Sequence, residues 1–482
     1  MRTQHVPFAL VFSALVVLTT CSKESHTPAD PQDKLLKIYY LWTASGDPHQ
    51  HSSIKTGVEK AKNKDEIRKL IEGKVTIEAR VDPDTKEEAI ALAQELRRNP
   101  GTLAVIGNTY SGTTWATLPI FADAGIPVFV TNATSPYLFM RHAAHDKPNL
   151  ELARGETGEM SQCERPDCYF EPPGVAGHSD GFHNALRLVP ADVPDQVSAI
   201  QLTINQPKGA GQKKKGSKPN VPRVMLICDQ TGHNGAGVYS KPMCDYLERF
   251  TTHQDLRKER NPDYKVVSSR NIDLDHGDLW GLVTEIRAAH PDYIVLVGYD
   301  ELARDVLQGL AERDPKGYKF IITDGAFSDT LREINPHAEI YFTSPAHPHK
   351  KVECDSVEGL SVTSPSDREK EAQKVPETTD AFAYDSVAIL ANAVNSCSGR
   401  LDRACLLDFF ARNQNLTATC ETYDFHDGER QHAAYYVYSE KLRKKGVTFE
   451  PEWCAKSEDQ ELSLYSAACG RRQEYDTSGK QP

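Results

Sequence analysis

Beyond its N-terminal region this chain has no long apolar run. The stretch from Val6 to Leu18 is shorter than the ~20 residues a helix needs to cross a bilayer, and no later stretch approaches that length. Apart from its N-terminal anchor the mature protein is therefore expected to be soluble. Positive charge is also scarce: 56 Lys and Arg stand against 68 Asp and Glu, a net charge of −12, which argues against a nucleic-acid partner. The one lysine-dense stretch, GAGQKKKGSKPN from Gly209 to Asn220, is flanked by Gly, Ser and Pro and reads as a solvated loop. Zinc-site spacing is missing as well. CERPDC and CSGRLDRAC lack both the C-x-x-C interval and a neighbouring His pair. His49/His51 and His347/His349 do form His-x-His pairs, but both read as lying in Pro-containing polar loops. No metal and no other cofactor is expected. Gly177-His178-Ser179-Asp180-Gly181 spells G-x-S-x-G, the signature of a serine hydrolase. It follows a loop and precedes a strand, so nothing places Ser179 on the strained strand-to-helix turn that the chemistry needs. No catalytic residue is expected, and the hydrolase stays a remote alternative.

What is present begins with Arg2 and the apolar run, which closes on Leu18-Thr19-Thr20-Cys21 before the polar Ser22-Lys23-Glu24-Ser25. A basic start, a short apolar core and small residues at its end form the pattern of a secretory signal. Its end resembles the lipobox of bacterial lipoproteins, with Thr20 where Gly, Ala or Ser is usual. The resemblance implies that residues 1–21 form a signal ending at Cys21, the lipid-attachment site, with 22–35 as a linker. Setting Cys21 aside leaves ten of the eleven cysteines, an even number that suits an oxidising compartment. Local bridges are expected between Cys163 and Cys168 and between Cys397 and Cys405. The remaining pairing stays open.

From Leu35 onward, apolar strands alternate with amphipathic helices. Leu36–Trp42, Lys74–Val81 and Leu103–Gly107 read as strands; Thr85–Arg98 and Thr113–Ala124 read as helices; Val128–Val130 is a further strand. Arg141–Gly181, rich in Pro, Gly and charge, breaks the rhythm as a long insertion. The alternation resumes at Val221–Cys228 and continues through Lys319–Thr323. The fold class is thus α/β, with two doubly wound parallel-sheet lobes.

Open parallel sheets bind ligands beyond the carboxyl ends of their strands. Those positions hold Tyr110 and Ser111, Asn132 and Thr134, Tyr299, and Asp324. Ser111 and Thr134, each at the start of a helix or turn, can offer a hydroxyl and backbone N–H groups to an anion. Asp324 can pair with an ammonium, and Tyr299 can cover the ligand. A zwitterion such as an amino acid needs this set of groups.

The stretch LAVIGNTYSGTTWATLPIFADAGIPVFVTNATSPYL resembles the leucine/isoleucine/valine-binding family of periplasmic solute-binding proteins. FHNALRLVPADVPDQVSAI, PDYIVLVGYDELARDVL, YKFIITDGAFSDTL, VEGLSVTSP and AFAYDSVAILANAV follow in the family's order. The loop TASGDPHQHSS after Trp42, the insertion and the tail past about residue 440 have no such counterpart. The resemblance implies a type I periplasmic binding protein whose two lobes are joined by a multi-strand hinge. Lobe one would comprise 36–191 plus 362–413, and lobe two 192–361 plus 414–482. It further implies that Ser111, Thr134 and the backbone around Asn132 hold a carboxylate, that Asp324 takes an ammonium, that Tyr299 closes over the ligand, and that Tyr110 lines the side-chain pocket. The implied partners are an amino acid-like small molecule, the membrane permease of an ABC transporter, and the bacterial membrane through a lipid anchor, in the periplasm or at the cell surface. A ligand-sensing receptor of the same fold is the alternative. Replacing Cys21 by Ala is expected to move the protein from the membrane to the soluble fraction with its circular dichroism unchanged. Retention of the variant on membranes would show that the N-terminus anchors in another way.

Overall fold

A computed structural model describes residues 35–43, 48–138, 184–205, 221–232, 235–252, 264–277, 279–314, 317–326, 331–335, 337–345, 380–418, 422–426, 428–430, 433–439, 453–458 and 461–466. Five parallel strands form the body of the first sheet: β1 (Leu36–Trp42), β2 (Val75–Val81), β3 (Thr102–Ile106), β4 (Val128–Val130) and β5 (Ala185–Arg187), in the spatial order β2-β1-β3-β4-β5. β3 and β4 are buried along their whole length, as the unbroken apolar runs of strands covered on both faces should be. Around them lie α1 (Pro48–Lys62), α2 (Asp65–Ile71), α3 (Lys86–Arg98) and α4 (Ser111–Asp123). Thr85 starts α3 by accepting the Glu88 N–H on its hydroxyl.

The second sheet repeats that order. β6 (Arg223–Asp229), β7 (Lys265–Ile272), β8 (Tyr293–Val297), β9 (Lys319–Ile322) and β10 (Glu339–Ser344) run as β7-β6-β8-β9-β10, all parallel. Its helices are α5 (Val197–Ile204), α6 (Ala236–Thr252), α7 (Leu279–Ala289), α8 (Asp300–Arg313) and α9 (Leu331–Ile334). In each sheet the order reverses beside the first strand, which puts a crevice between β1 and β3 and another between β6 and β8.

The chain then returns. α10 (Asp380–Ser396) and α11 (Arg403–Arg412) belong to the first lobe: Phe382, Ala383, Val387, Leu390, Val394 and Phe410 share a core with Ile38 and Phe129. β11 (Asn415–Thr417), β12 (Thr422–His426) and β13 (Glu429–Arg430) extend the same sheet through parallel pairing of Glu429 with Arg187. Residues 415–430 therefore lie in the first lobe, not in the second as the sequence suggested. Burial accounts for this, since Tyr423 and Phe425 enter the first core and the Tyr423 hydroxyl donates to Asp385 Oδ2 at 2.8 Å. β14 (Ala434–Ser439) pairs antiparallel with β10, and β15 (Trp453–Glu458) and β16 (Glu461–Ser466) complete the second sheet. Among the described elements the chain passes from one sheet to the other after β5, between β10 and α10, and between β13 and β14.

A second departure concerns residues 48–62. The polar, Pro-containing start reads as a loop, yet Pro48 opens α1, so His49 and His51 stand in a helix. Ile54, Val58 and Ala61 recur at helical spacing and are buried against α10. Among the described residues two disulfides tie helices in place. Cys397–Cys405 joins the end of α10 to α11, as expected, and Cys228–Cys244 joins the end of β6 to α6. Cys21, Cys163, Cys168, Ser179, His347 and His349 lie outside the described residues. Among the described residues no helix is long and apolar enough to cross a membrane, and no group of three or more His, Cys, Asp or Glu could hold a metal ion.

α1 and α10 pack so closely that a Cβ on Gly57 would stand 2.1 Å from the Asp380 carbonyl oxygen. Gly57→Ala is expected to force the helices apart at a cost of about 1–3 kcal/mol, read as a lowered midpoint in equilibrium urea unfolding. An unchanged midpoint would contradict this packing.

Candidate functional site

The loop leaving β3 is fixed from below. Gly107 takes φ +120°, and a side chain there would meet Leu41 within 2.9 Å. Asp82, just past β2 and 1% exposed, accepts from Asn108 Nδ2 at 2.8 Å and from the Thr109 N–H at 2.5 Å. Thr117 on α4 donates to Asn108 Oδ1 at 2.9 Å. This frame delivers Tyr110 and Ser111 to the crevice at the first turn of α4. Burial pushes the Asp82 carboxyl up to about 6, against the bonds from Thr109 and Asn108 that lower it.

The loop leaving β4 approaches the same point. The Ser135 N–H donates to Ser111 Oγ at 3.4 Å, and the Ser135 hydroxyl donates across the cleft to the Val238 carbonyl on α6 at 2.7 Å. Arg187 holds this loop through its guanidinium, which donates to the carbonyls of Thr134 at 3.1 Å and Ser135 at 2.7 Å. Thr134 is buried and Asn132 half-buried, and Asn132 Oδ1 has no partner among the described groups.

Three groups of the second lobe face them. The Tyr299 N–H donates to Asp229 Oδ2 at 3.3 Å, and its ring stacks on Tyr239 at 5.4 Å and meets the edge of Tyr110 at 5.1 Å. Tyr110 and Tyr299, from opposite lobes, thus touch across the cleft. Asp324, after β9, accepts from Tyr239 Oη at 2.6 Å, Gln196 Nε2 at 2.8 Å and Tyr435 Oη at 3.1 Å. Burial raises the Asp324 carboxyl, although all of these hydrogen bonds oppose the shift.

The structure brings Tyr110, Ser111, Thr134, Tyr299 and Asp324 to one cleft, and Asn132 stands on the same loop after β4 as Thr134. It also adds groups that the reading of strand ends passed over. Asp192, wholly buried in the first crossover, donates its N–H to the Thr134 carbonyl at 3.0 Å, and the Tyr435 hydroxyl lies 3.4 Å from its Oδ1. Burial and then the charge of Asp324 push its carboxyl well up, opposed by Thr134, Arg187 and Tyr435. Gln196 sits one turn later, Tyr239 on α6 and Tyr435 on β14. A trace of this was in the sequence: Asp192 and Gln196 lie in the crossover stretch FHNALRLVPADVPDQVSAI, which links the two sheets.

No family model matches the chain, and no curated protein does either. Solved structures do. The branched-chain amino acid transporter substrate binding protein LivJ from Streptococcus pneumoniae, in complex with isoleucine, is 17% identical with a TM-score of 0.58; the match covers 90% of this chain and 100% of that one. A periplasmic binding protein type 1 from Bordetella pertussis is 14% identical, with a TM-score of 0.59 and coverage of 90% and 100%. An ABC transporter solute binding protein from R. palustris, in complex with 4-hydroxybenzoate, is 14% identical, with a TM-score of 0.54 and coverage of 90% and 96%. The likeness is one of fold: this chain has the two-lobe architecture of type I periplasmic binding proteins.

Asp82 also sets a pH signature. Its folded value near 6 lies above the ~4 of an unfolded aspartate, so its contribution is fully present below about pH 4 and is lost as the pH rises through 6. The stability of the wild type relative to Asp82→Asn is therefore expected to fall by about 3 kcal/mol between pH 4 and pH 7. Denaturation of both proteins across that range measures it, and a difference that rises with pH would contradict the assignment.

Proposed function

We propose that this chain is the extracytoplasmic solute-binding component of an ABC importer, taking an amino acid or a related small polar ligand between its lobes. The observation that carries the reading is the meeting of strand-end loops from two sheets of identical order around Asp324, with hydroxyl groups on one wall and tyrosines on the other. The fold shared with isoleucine-bound and 4-hydroxybenzoate-bound transport proteins supports it. Three chain crossings at one edge make a hinge, so that a ligand touching both walls favours the closed arrangement over the open one.

The remaining parts follow from the sequence. Cys21 would carry the lipid anchor, and the permease of the importer would receive the closed, loaded form. Ser111, Thr134 and the backbone around Asn132 would face the ligand from the first lobe. Tyr110 would line the side-chain pocket, Tyr299 would cover it, and Asp324 would pair with a positive group. No catalytic step is required of any of them.

Native mass spectrometry of freshly purified protein identifies a co-purified ligand, and small-angle scattering with and without it reads closure. A charge-assisted hydrogen bond contributes about 1.5–3 kcal/mol, so Asp324→Ala is expected to weaken binding of an ammonium-bearing ligand at least ~10-fold by calorimetry. Unchanged affinity for such a ligand would remove Asp324 from the site.

A further inference from the structure

Around Asp192 and Asp324 the balance of donors and acceptors is uneven. The Tyr435 hydroxyl stands 3.4 Å from one carboxylate and 3.1 Å from the other, yet it has a single proton to give. Asp192 and Gln196 are both 0% exposed. Asp192 Oδ2 has no partner among the described groups, and neither does Gln196 Oε1, the other atom of the amide that donates to Asp324. Asn132 Oδ1, on the loop after β4, is in the same condition. These three orphaned atoms are acceptors, and the buried Tyr299 hydroxyl also has no partner among the described groups. A buried acceptor left unpaired is costly, so a ligand that fits supplies N–H donors here.

The carboxylate end looks different. Of the hydroxyls assigned to it, that of Thr134 is directed at Asp192, and Ser111 Oγ accepts from the Ser135 N–H while keeping its own proton to donate. The Tyr299 hydroxyl is turned toward the Ser111 N–H at the start of α4, where an anion would otherwise sit.

We propose that this cleft selects its ligand by a positively charged amine held between Asp192 and Asp324, and that no free carboxylate on the ligand is needed. The inference rests on the solute-binding reading and narrows its ligand class to cationic amines. The two carboxylates approach from different walls, Asp192 tied to Thr134 of the first lobe and Asp324 at the end of β9 in the second. One ammonium between them replaces a repulsion with two attractions and joins the lobes. The other groups facing the pair are Arg187 from β5, Thr134 after β4, Gln196 from the crossover, Tyr239 from α6 and Tyr435 from β14, with Asp229 beyond Tyr299. Of these Arg187 is the only cation, and its guanidinium already serves two carbonyls. Burial raises both carboxyls and the charge of Asp324 raises Asp192 further, so binding of an ammonium favours loss of a proton from the pair.

The test uses the full chain and five probes in isothermal calorimetry at pH 7. Putrescine, agmatine and L-leucinamide are amines without a free carboxylate; L-leucine is the zwitterion and 4-methylpentanoate the carboxylate alone. At least one of the three amines is expected to bind, and L-leucinamide at least tenfold more tightly than L-leucine. The binding amine should release a proton, seen as a heat that differs between phosphate and Tris buffers, and Asp192→Asn should weaken it at least tenfold. If that variant does not fold, proton release by the wild type decides. Tighter binding of L-leucine or of 4-methylpentanoate than of every amine overturns this inference and leaves the solute-binding reading intact. Amine binding with no proton release, or at equal strength in a folded Asp192→Asn, overturns it likewise. Silence from all five probes, with no ligand co-purifying, removes both.

Discussion

A buried carboxylate at the end of a strand has to be given hydrogen-bond donors, and both lobes use that requirement to shape their crevices. In the first, Asp82 draws in the Thr109 N–H and the Asn108 amide; in the second, Asp229 draws in the N–H groups of Thr231 and Tyr299. Each aspartate lies near the reversal in strand order, and each bonds the loop that carries a tyrosine toward the other lobe. Tyr110 and Tyr299 meet because two separate sheets solve the same problem in the same way. The loops are therefore positioned by buried electrostatics, not by their own sequence, which is polar and permissive.

Asp192 and Asp324 follow a different rule. Nothing in either sheet needs them at their positions, and their donors are neutral groups recruited from a crossover, a helix and a late strand. A structural carboxylate such as Asp385, bonded by Tyr423 in the first core, lies away from the cleft. The contrast separates carboxylates bonded within a loop or a core from two that gather their donors from several elements at the cleft.

Much of the fold was legible because parallel strands buried on both faces leave continuous apolar runs, and β1, β3, β6, β8 and β9 announce themselves. Elements without that pressure were harder to read. β11 and β13 span three and two residues, too few for a period to show. α1 hides its helical face behind a polar first turn and declares it only from Ile54. Ser111, Thr134, Tyr299 and Asp324 could be found because they follow strands. Asp192, Tyr239 and Tyr435 could not be found that way, since a crossover, a helix interior and a strand interior have no fixed relation to a cleft until the sheets are laid beside each other.

The return of the chain through α10, α11 and β11–β13 has a consequence for the order of events during synthesis. The core of the first lobe needs Phe382, Val387, Leu390 and Phe410, which are made only after all five parallel strands of the second sheet. The second sheet in turn waits for β14 to cover its edge at β10. Domains generally fold as units, in the sequence in which the ribosome delivers them. Here neither unit is whole until the last fifth of the chain has appeared. The native packing of both lobes is thus completed only near the end of synthesis, and nearly at the same time.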